Sequence, residues 1–188
     1  LFLLLVASLA LTLVHKGRGK RSARLFRFFS VLAGLGFFAY WFTQSSIRQF
    51  SENSMGIQVI NLLPQPVDIY LIKKSGKPNV QDFVLHSGKI RPEHFRIESL
   101  KMNDSEEFWI AGYIGKKNLV YFSQHMVPNK NFDQIIEIQN YMIQSQKLAD
   151  NAAAKVSRHQ TQNISTGIWI TMCLLLLFLN IVLLARRK

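Results

Sequence analysis

The sequence predicts an integral membrane α-helical protein with three transmembrane helices and an extracytoplasmic, mainly-β domain, folded as an antiparallel sandwich and followed by a helical stalk. Three observations predict it: apolar runs lie at both ends of the chain, blocks of Lys and Arg adjoin these runs, and short strand-like segments broken by turn residues lie between them. The alternative for the domain is an α+β fold, in which a later segment packs on a single sheet.

The first element is the apolar run of residues 1–14. A secretory signal peptide places its positive charges before its apolar run, whereas here they follow it. Fourteen helical residues cover only about 21 Å, which is less than the thickness of a hydrocarbon core. We therefore expect a transmembrane helix that is incomplete at its N-terminus.

Two longer runs, residues 25–43 and 167–185, are predicted as the second and third transmembrane helices. Between residues 168 and 185, twelve of eighteen residues are Leu, Ile, Val or Phe. Eighteen helical residues rise about 27 Å, close to the thickness of the hydrocarbon core. Tyr40 and Trp41 lie near the end of the second run, where aromatic side chains are typical of the membrane–water interface.

The net charge of +12 is unevenly distributed. Residues 47–165 carry fourteen Lys or Arg and eleven Asp or Glu, a net charge of only +3, and the other nine positive charges adjoin apolar runs. This distribution argues against a nucleic-acid-binding domain, which concentrates its basic residues on a folded face. It follows the positive-inside rule instead. The predicted topology determinants are Lys16, Arg18, Lys20, Arg21, Arg24, Arg186, Arg187 and Lys188.

The topology follows from these charges. The basic loop 15–24 and the basic end 186–188 are predicted to be cytoplasmic, so residues 47–165 lie outside, most simply in the periplasm of a bacterial inner membrane. The lipid bilayer is then a partner of the whole chain. Anionic lipid is a further candidate partner of the basic loop.

Residues 47–128 are predicted to form the β-rich domain. The candidate strands are broken by Pro, Gly and Asn turns, and Phe95 and Ile97 alternate with charged neighbours, as is typical of a strand. Six short strands at near-regular spacing favour a sandwich. The segments are 57–62, 67–73, 80–86, 94–100, 107–114 and 119–124.

Residues 129–166 contain no Gly or Pro and are predicted to form a helical stalk, or a final strand plus a helix. In the second alternative, residues 134–139 form a seventh strand, because Ile136 and Ile138 alternate with polar residues. Helix is favoured from about Tyr141. The narrow apolar face of this helix predicts that a neighbouring protein covers its polar side.

Residues that carry chemistry are few. Cys173 is the only cysteine, so no disulfide can form within this sequence and no thiolate zinc site is expected. The external histidines lack metal-ligand spacing, and the acidic residues around position 105 are expected to form a solvated turn. We predict no catalytic residue, cofactor or metal. The residues concerned are His86, His94 and His125, and Asp104, Glu106 and Glu107; the aromatic residues Trp109, Tyr113, Tyr121 and Phe122 are expected to be core.

The membrane helices offer a different kind of site, namely small and polar residues that pack against partner helices. Ser30, Ala33, Gly34 and Gly36 form a small-residue surface, and Asn180 can make an interhelical hydrogen bond. The sequence thus favours a non-catalytic accessory or structural subunit of a larger membrane complex, whose external domain docks onto other membrane-protein subunits. The alternatives are an enzyme or redox subunit, or a ligand sensor, with its site in the external domain.

Overall fold

The computed structural model of the protein describes residues 1–14, 20–47, 54–76, 80–115 and 117–186. The chain divides into two compact units. A helical unit comprises Leu1–Phe50 and Gln162–Lys188, and a β unit comprises Ser51–Thr161.

The helical unit contains α1 (Phe2–Val14), α2 (Lys20–Ile47) and the C-terminal part of α3 (Gln146–Ala185). Residues 20–24, which the sequence analysis placed in the loop, are helical, and Lys, Arg and Ala all have good helix propensity. Leu5, Val31 and Leu177 pack together, and the rings of Phe2 and Trp169 meet edge to face with their centroids 5.3 Å apart.

Two of the described helices are long and apolar enough to cross a membrane: Ser22–Gln44 within α2, and α3, Gln146–Ala185. The apolar stretch of α1, Phe2–Leu11, is shorter. Most large apolar side chains of these helices are exposed, which is how a helix that faces lipid is built. A third span, and the membrane setting itself, remain predictions.

Among its described residues, the β unit has a strand at each of the six predicted segments, the third at 83–90 instead of 80–86, and two further strands. The strands are β1 (Met55–Asn61), β2 (Val67–Lys73), β3 (Phe83–Ile90), β4 (His94–Leu100), β5 (Glu107–Ile114), β6 (Asn118–Met126), β7 (Gln134–Ile138) and β8 (Met142–Ile143). β7 is the final strand of the second alternative for residues 129–166.

The strands form two sheets. Sheet A has the order β4-β1-β7, and sheet B has the order β3-β2-β5-β6-β8. The expected purely antiparallel pairing is wrong at two places, because β7 runs parallel to β1 and β8 runs parallel to β6. β6 ends in sheet B and the chain then crosses to sheet A, so β7 enters that sheet in the same direction as β1.

The core of the β unit lies between the two sheets. Alternate residues of β1 point inward, so that Ile57 and Val59 pack against Ile69, Leu71 and Ile110 of sheet B, and all five are fully buried. This period of two is what a sheet buried on one face requires.

The first turns of α3 pack on the outer face of sheet B. α3 begins at Gln146, not at about Tyr141, because Met142 and Ile143 pair with Tyr121 and Phe122 as β8. The buried side chains at the helix–sheet interface are Tyr70, Ile72, Trp109, Ala111, Tyr113, Phe122, Ala149, Ala152 and Val156. The apolar side of these first turns thus packs within the chain, since two alanines let the helix lie close to the aromatic residues of the sheet. That a neighbouring protein covers the polar side of this helix stays a prediction.

Candidate functional site

Asn180 of α3 makes its interhelical hydrogen bond within the chain. Its side chain is fully buried and accepts a hydrogen bond from the Ser8 hydroxyl of α1, with Oγ and Oδ1 2.8 Å apart. Its amide nitrogen donates to the carbonyls of Leu176, at 2.8 Å, and Leu5, at 3.3 Å. The expected bond to a partner helix is therefore replaced by an internal one, which ties α1 to α3.

The predicted small-residue surface of α2 is divided between two faces of that helix. A Cβ atom added at Gly34 would lie 2.8 Å from Cδ1 of Leu177, so this glycine allows α2 to approach α3. Ser30 is buried and its hydroxyl donates to the Phe26 carbonyl of the same helix. Ala33 and Gly36 are exposed, and a Cβ added at Gly36 meets nothing within 4 Å. Only Ala33 and Gly36 thus remain open to a partner helix.

The topology determinants are described only in part. Lys16, Arg18, Arg187 and Lys188 lie outside the described residues, and Lys20 and Arg21 lie in the first turn of α2. Arg24 and Arg186 are exposed. Which side of a membrane they occupy remains a prediction.

In the β unit, polar groups fasten α3 onto sheet B. The Asp82 carboxylate binds two lysines, Lys74, which directly follows β2, and Lys155 of α3. Nζ of Lys74 and Oδ2 of Asp82 are 2.9 Å apart. Both ammonium groups also lie over the Trp109 ring, 4.8 Å and 4.5 Å from its centroid. Such cation–π contacts contribute about 0.5–2 kcal/mol depending on desolvation. Trp109 and Asp82 therefore form the centre of the helix–sheet contact.

The charges in this contact shift one another's protonation. Burial alone would raise the pKa of the Asp82 carboxyl, but hydrogen bonds from Lys155, from the Ser75 backbone and from Lys74 outweigh burial and lower the net pKa below its ordinary value. Burial lowers the pKa of the Lys155 ammonium. The carboxylate stays ionised between two cations, as a structural ion pair does.

His86, His94 and His125 have three different partners. His86 lies 2.7 Å from Asp68 and stacks on Tyr70, His94 bonds the Pro92 carbonyl at 2.8 Å, and His125 bonds Ser123 at 2.7 Å. Burial lowers the pKa of the His125 imidazole. No group of three or more His, Cys, Asp or Glu among the described residues could hold a metal ion.

The predicted aromatic and acidic residues also have definite places. The aromatic prediction of core packing is confirmed: Trp109, Tyr113 and Phe122 lie beneath α3, and Tyr121 lies in the sandwich core. Burial raises the pKa of the Tyr113 hydroxyl to about 12. The acidic residues Asp104, Glu106 and Glu107 line an open pocket of about 480 Å³ together with two basic residues, Lys74 and Lys130.

The outer face of sheet A exposes several large apolar side chains beside the polar Gln58 and Glu137. Phe95 and Ile97 of β4 are 55% and 62% exposed, and Ile135 of β7 is 66% exposed. Ile97 and Ile135 pair with Gln58 of β1 from its two sides, and Phe95 pairs with the half-buried Ile60. Because paired residues share one side of a sheet, the four apolar side chains point to the same side. We call this surface, formed by Ile60, Phe95, Ile97 and Ile135, the open face.

The open face is a candidate site that the sequence does not reveal. Phe95 and Ile97 were expected only to mark a strand, and their alternation with Arg96 and Glu98 does not reveal which pair points inward. Leu100, which is 1% exposed, decides this, because its burial turns Arg96 and Glu98 to the inner side and the apolar pair outward. Glu98 is accommodated there by a 2.9 Å hydrogen bond from the Ser87 hydroxyl.

Comparison with protein-family models, with characterised proteins and with solved structures finds no match for this chain.

Proposed function

We propose that the protein is a non-catalytic accessory subunit of a larger membrane protein complex, in which apolar helices anchor the β unit and the open face docks onto another subunit. In the finer form of this proposal, the membrane is a bacterial inner membrane, three helices cross it, and residues 47–165 lie in the periplasm.

The observation that carries the proposal is the contrast between the open face and the rest of the β unit. Sheet B buries its outer apolar residues under α3, whereas Phe95, Ile97 and Ile135 lie on the two strands that flank β1 of sheet A, with more than half of each side chain exposed. Adjoining exposed apolar side chains on a folded domain are typical of a protein interaction site. Ala33 and Gly36 offer a second, small-residue surface for a partner helix.

Purification of the whole protein in mild detergent tests the proposal. We expect a second membrane protein to co-purify at constant stoichiometry, and we expect the double variant Phe95→Ser, Ile97→Ser to lose it while keeping the melting profile of the wild type. The matched control is Leu62→Ser, Val80→Ser, which removes two partly exposed apolar residues elsewhere. A monodisperse wild-type monomer without any partner would contradict the proposal.

The membrane orientation has its own test. In a Cys173→Ser background, cysteines introduced at Ser22 and at Lys117, both exposed positions, should react with an impermeant maleimide from opposite sides of the membrane. Reaction from the same side would contradict the orientation but not the presence of a partner.

Activity measurements separate this proposal from the enzyme alternative. His86, His94 and His125 have separate partners, so alanine at each is expected to leave the assembly and activity of the complex unchanged. Loss of activity without loss of assembly would favour an enzyme or redox subunit.

A further inference from the structure

A basic pocket lies at one edge of the open face. It encloses about 230 Å³ and is lined by Lys89, Ile90, Arg91, His94, Phe95 and Arg96. Three of these residues are Lys or Arg, and no carboxylate is among the lining residues. Phe95 lines the pocket and belongs to the open face, so the pocket, which lies where β3 turns into β4 at the edge of the sandwich, adjoins the open face at this residue.

Asp68 lies opposite Lys89 in the β2–β3 ladder, but its carboxylate binds His86, with Oδ1 and Nε2 2.7 Å apart. Among the described residues, neither Lys89 nor Arg91 forms an ion pair. Glu98, the carboxylate on the strand that carries Arg96, accepts the Ser87 hydroxyl instead. The positive charges of Lys89 and Arg91 therefore remain available to a ligand.

Arg96 is held in place by the backbone of β3. Its guanidinium donates to the Ser87 carbonyl, beside Gly88, whose φ of +91° belongs to the left-handed region. A Cβ added at Gly88 would lie 3.0 Å from Nη1 of Arg96, so the glycine also leaves the space that the guanidinium occupies. A guanidinium fixed in this way, with other N–H groups to donate, is suited to bind a carboxylate.

We propose that the basic pocket and the open face together bind an acidic segment of another subunit of the complex, with apolar side chains on the open face and carboxylates at Lys89, Arg91 and Arg96. This inference rests on the proposed function and adds the chemistry of the partner. It predicts that the partner segment carries apolar residues next to Asp or Glu, since charge complementarity determines which partner is accepted.

The shape of the surface favours a protein over an anionic bilayer. The apolar residues lie on the bodies of β4, β1 and β7, whereas the turn beyond β3 carries the polar residues Arg91 and Glu93. A bilayer would have to contact the whole outer face of sheet A, whereas a protein segment can bind along part of this face.

Carbodiimide crosslinking of the intact complex tests the proposal, because this reagent joins a lysine amine directly to a carboxylate that touches it. We expect a crosslink between Lys89 and an Asp or Glu of the co-purifying subunit, identified by mass spectrometry of the joined peptides. Lys89→Arg keeps the charge but removes the amine, so it should abolish this crosslink and leave the complex intact. A complex in which Lys89 joins no partner carboxylate would overturn the proposal.

Charge reversal provides the second measurement. Lys89→Glu with Arg91→Glu should reduce the partner retained at 0.15 M salt by at least about tenfold, because like charges would then face each other. The matched control, Lys117→Glu with Lys147→Glu, changes the net charge equally at two exposed sites outside the pocket and should retain the partner. Equal retention by both double variants would overturn the proposal.

Lipid is distinguished from protein by quenching. A bimane label at Ile97→Cys, in the Cys173→Ser background and in nanodiscs, should not be quenched by brominated phosphatidylcholine or brominated phosphatidylglycerol. Quenching only when phosphatidylglycerol is present would show that anionic lipid occupies the site and would overturn the proposal. If the partner depends on Phe95 and Ile97 but not on Lys89 and Arg91, this inference fails while the proposed function stands.

Discussion

The two outer faces of the sandwich carry similar apolar residues but have different surroundings. On sheet B, Trp109, Phe122 and Tyr70 are covered by α3 and are almost fully buried. On sheet A, no described element of the β unit covers Phe95, Ile97 or Ile135, and all three are more than half exposed. The chain therefore covers the outer face of sheet B with its own helix, whereas the apolar residues on the outer face of sheet A stay exposed.

This difference separates residues that stabilise the fold from residues available for binding. A buried aromatic side chain contributes to folding through the apolar area that it removes from water, whereas an exposed one contributes little until something covers it. Substitutions on the covered face should therefore reduce stability, and substitutions on the open face should reduce binding.

Substitution of Trp109 should have the largest effect. Trp109→Ala removes a side chain that is 2% exposed, and with it two cation–π contacts, so it should lower the free energy of unfolding by about 3–5 kcal/mol. The matched change on the open face, Phe95→Ala, should alter it by about 0.5 kcal/mol or less. Denaturant unfolding of the whole protein in detergent measures both, and equal losses would contradict the distinction between the faces.

The same comparison applies to two glycines of α2. Gly34→Leu brings a branched side chain against Leu177 and should destabilise the helical unit by about 1–3 kcal/mol. Gly36→Leu meets nothing within 4 Å, so it should leave the thermal melt of the isolated protein unchanged and instead release the partner. Partner release by Gly34→Leu without destabilisation, or destabilisation by Gly36→Leu, would reverse the assignment of the two faces.

Asp82 makes the covered face dependent on pH. Because its folded pKa is lowered, the ionised carboxylate contributes stability above the unfolded pKa, about 4, and this contribution is lost as pH falls through the folded pKa. Asp82→Asn should cost about 1–2 kcal/mol at pH 7, since the carboxylate is largely buried although both lysines are partly exposed.

Stability measured from pH 7 to pH 2 checks this dependence. The difference in the free energy of unfolding between Asp82→Asn and the wild type should shrink below about pH 4. Asp104→Asn, at an exposed carboxylate, should barely change the free energy of unfolding at any pH in this range. A difference that persists unchanged at pH 2 would show that the ion pair is not its cause.

The strands were predictable from the sequence because turn residues separate segments that each bury alternate side chains. The arrangement of the strands was not predictable from the sequence. Residues 134–138 form a strand because Ile136 and Ile138 occupy core positions beside β1, and that contact depends on residues far apart in the sequence. The same limit applied to α3, whose alanines look too small to pack until aromatic residues from distant strands lie opposite them.

For the candidate site, the sequence likewise indicated which residue types matter but not which residues they contact. The exposed Gly36 and the buried Gly34 are only two residues apart in one apolar run, and only the position of Leu177 distinguishes their roles. Asn180 was identified as a hydrogen-bonding residue, but its partner, Ser8, lies at the other end of the chain. The open face depends on the inward position of Leu100, which no local pattern specifies.

Site-specific photocrosslinking in the native membrane shows whether the open face is the docking surface. A benzophenone side chain is placed either at Ile97, on the open face, or at Ala154, an exposed position of α3 above the covered face. We expect position 97 to crosslink to the same subunit that co-purifies with the protein, and we expect position 154 not to crosslink to it. Crosslinking from position 154 but not from position 97 would contradict the claim that the open face is the docking surface.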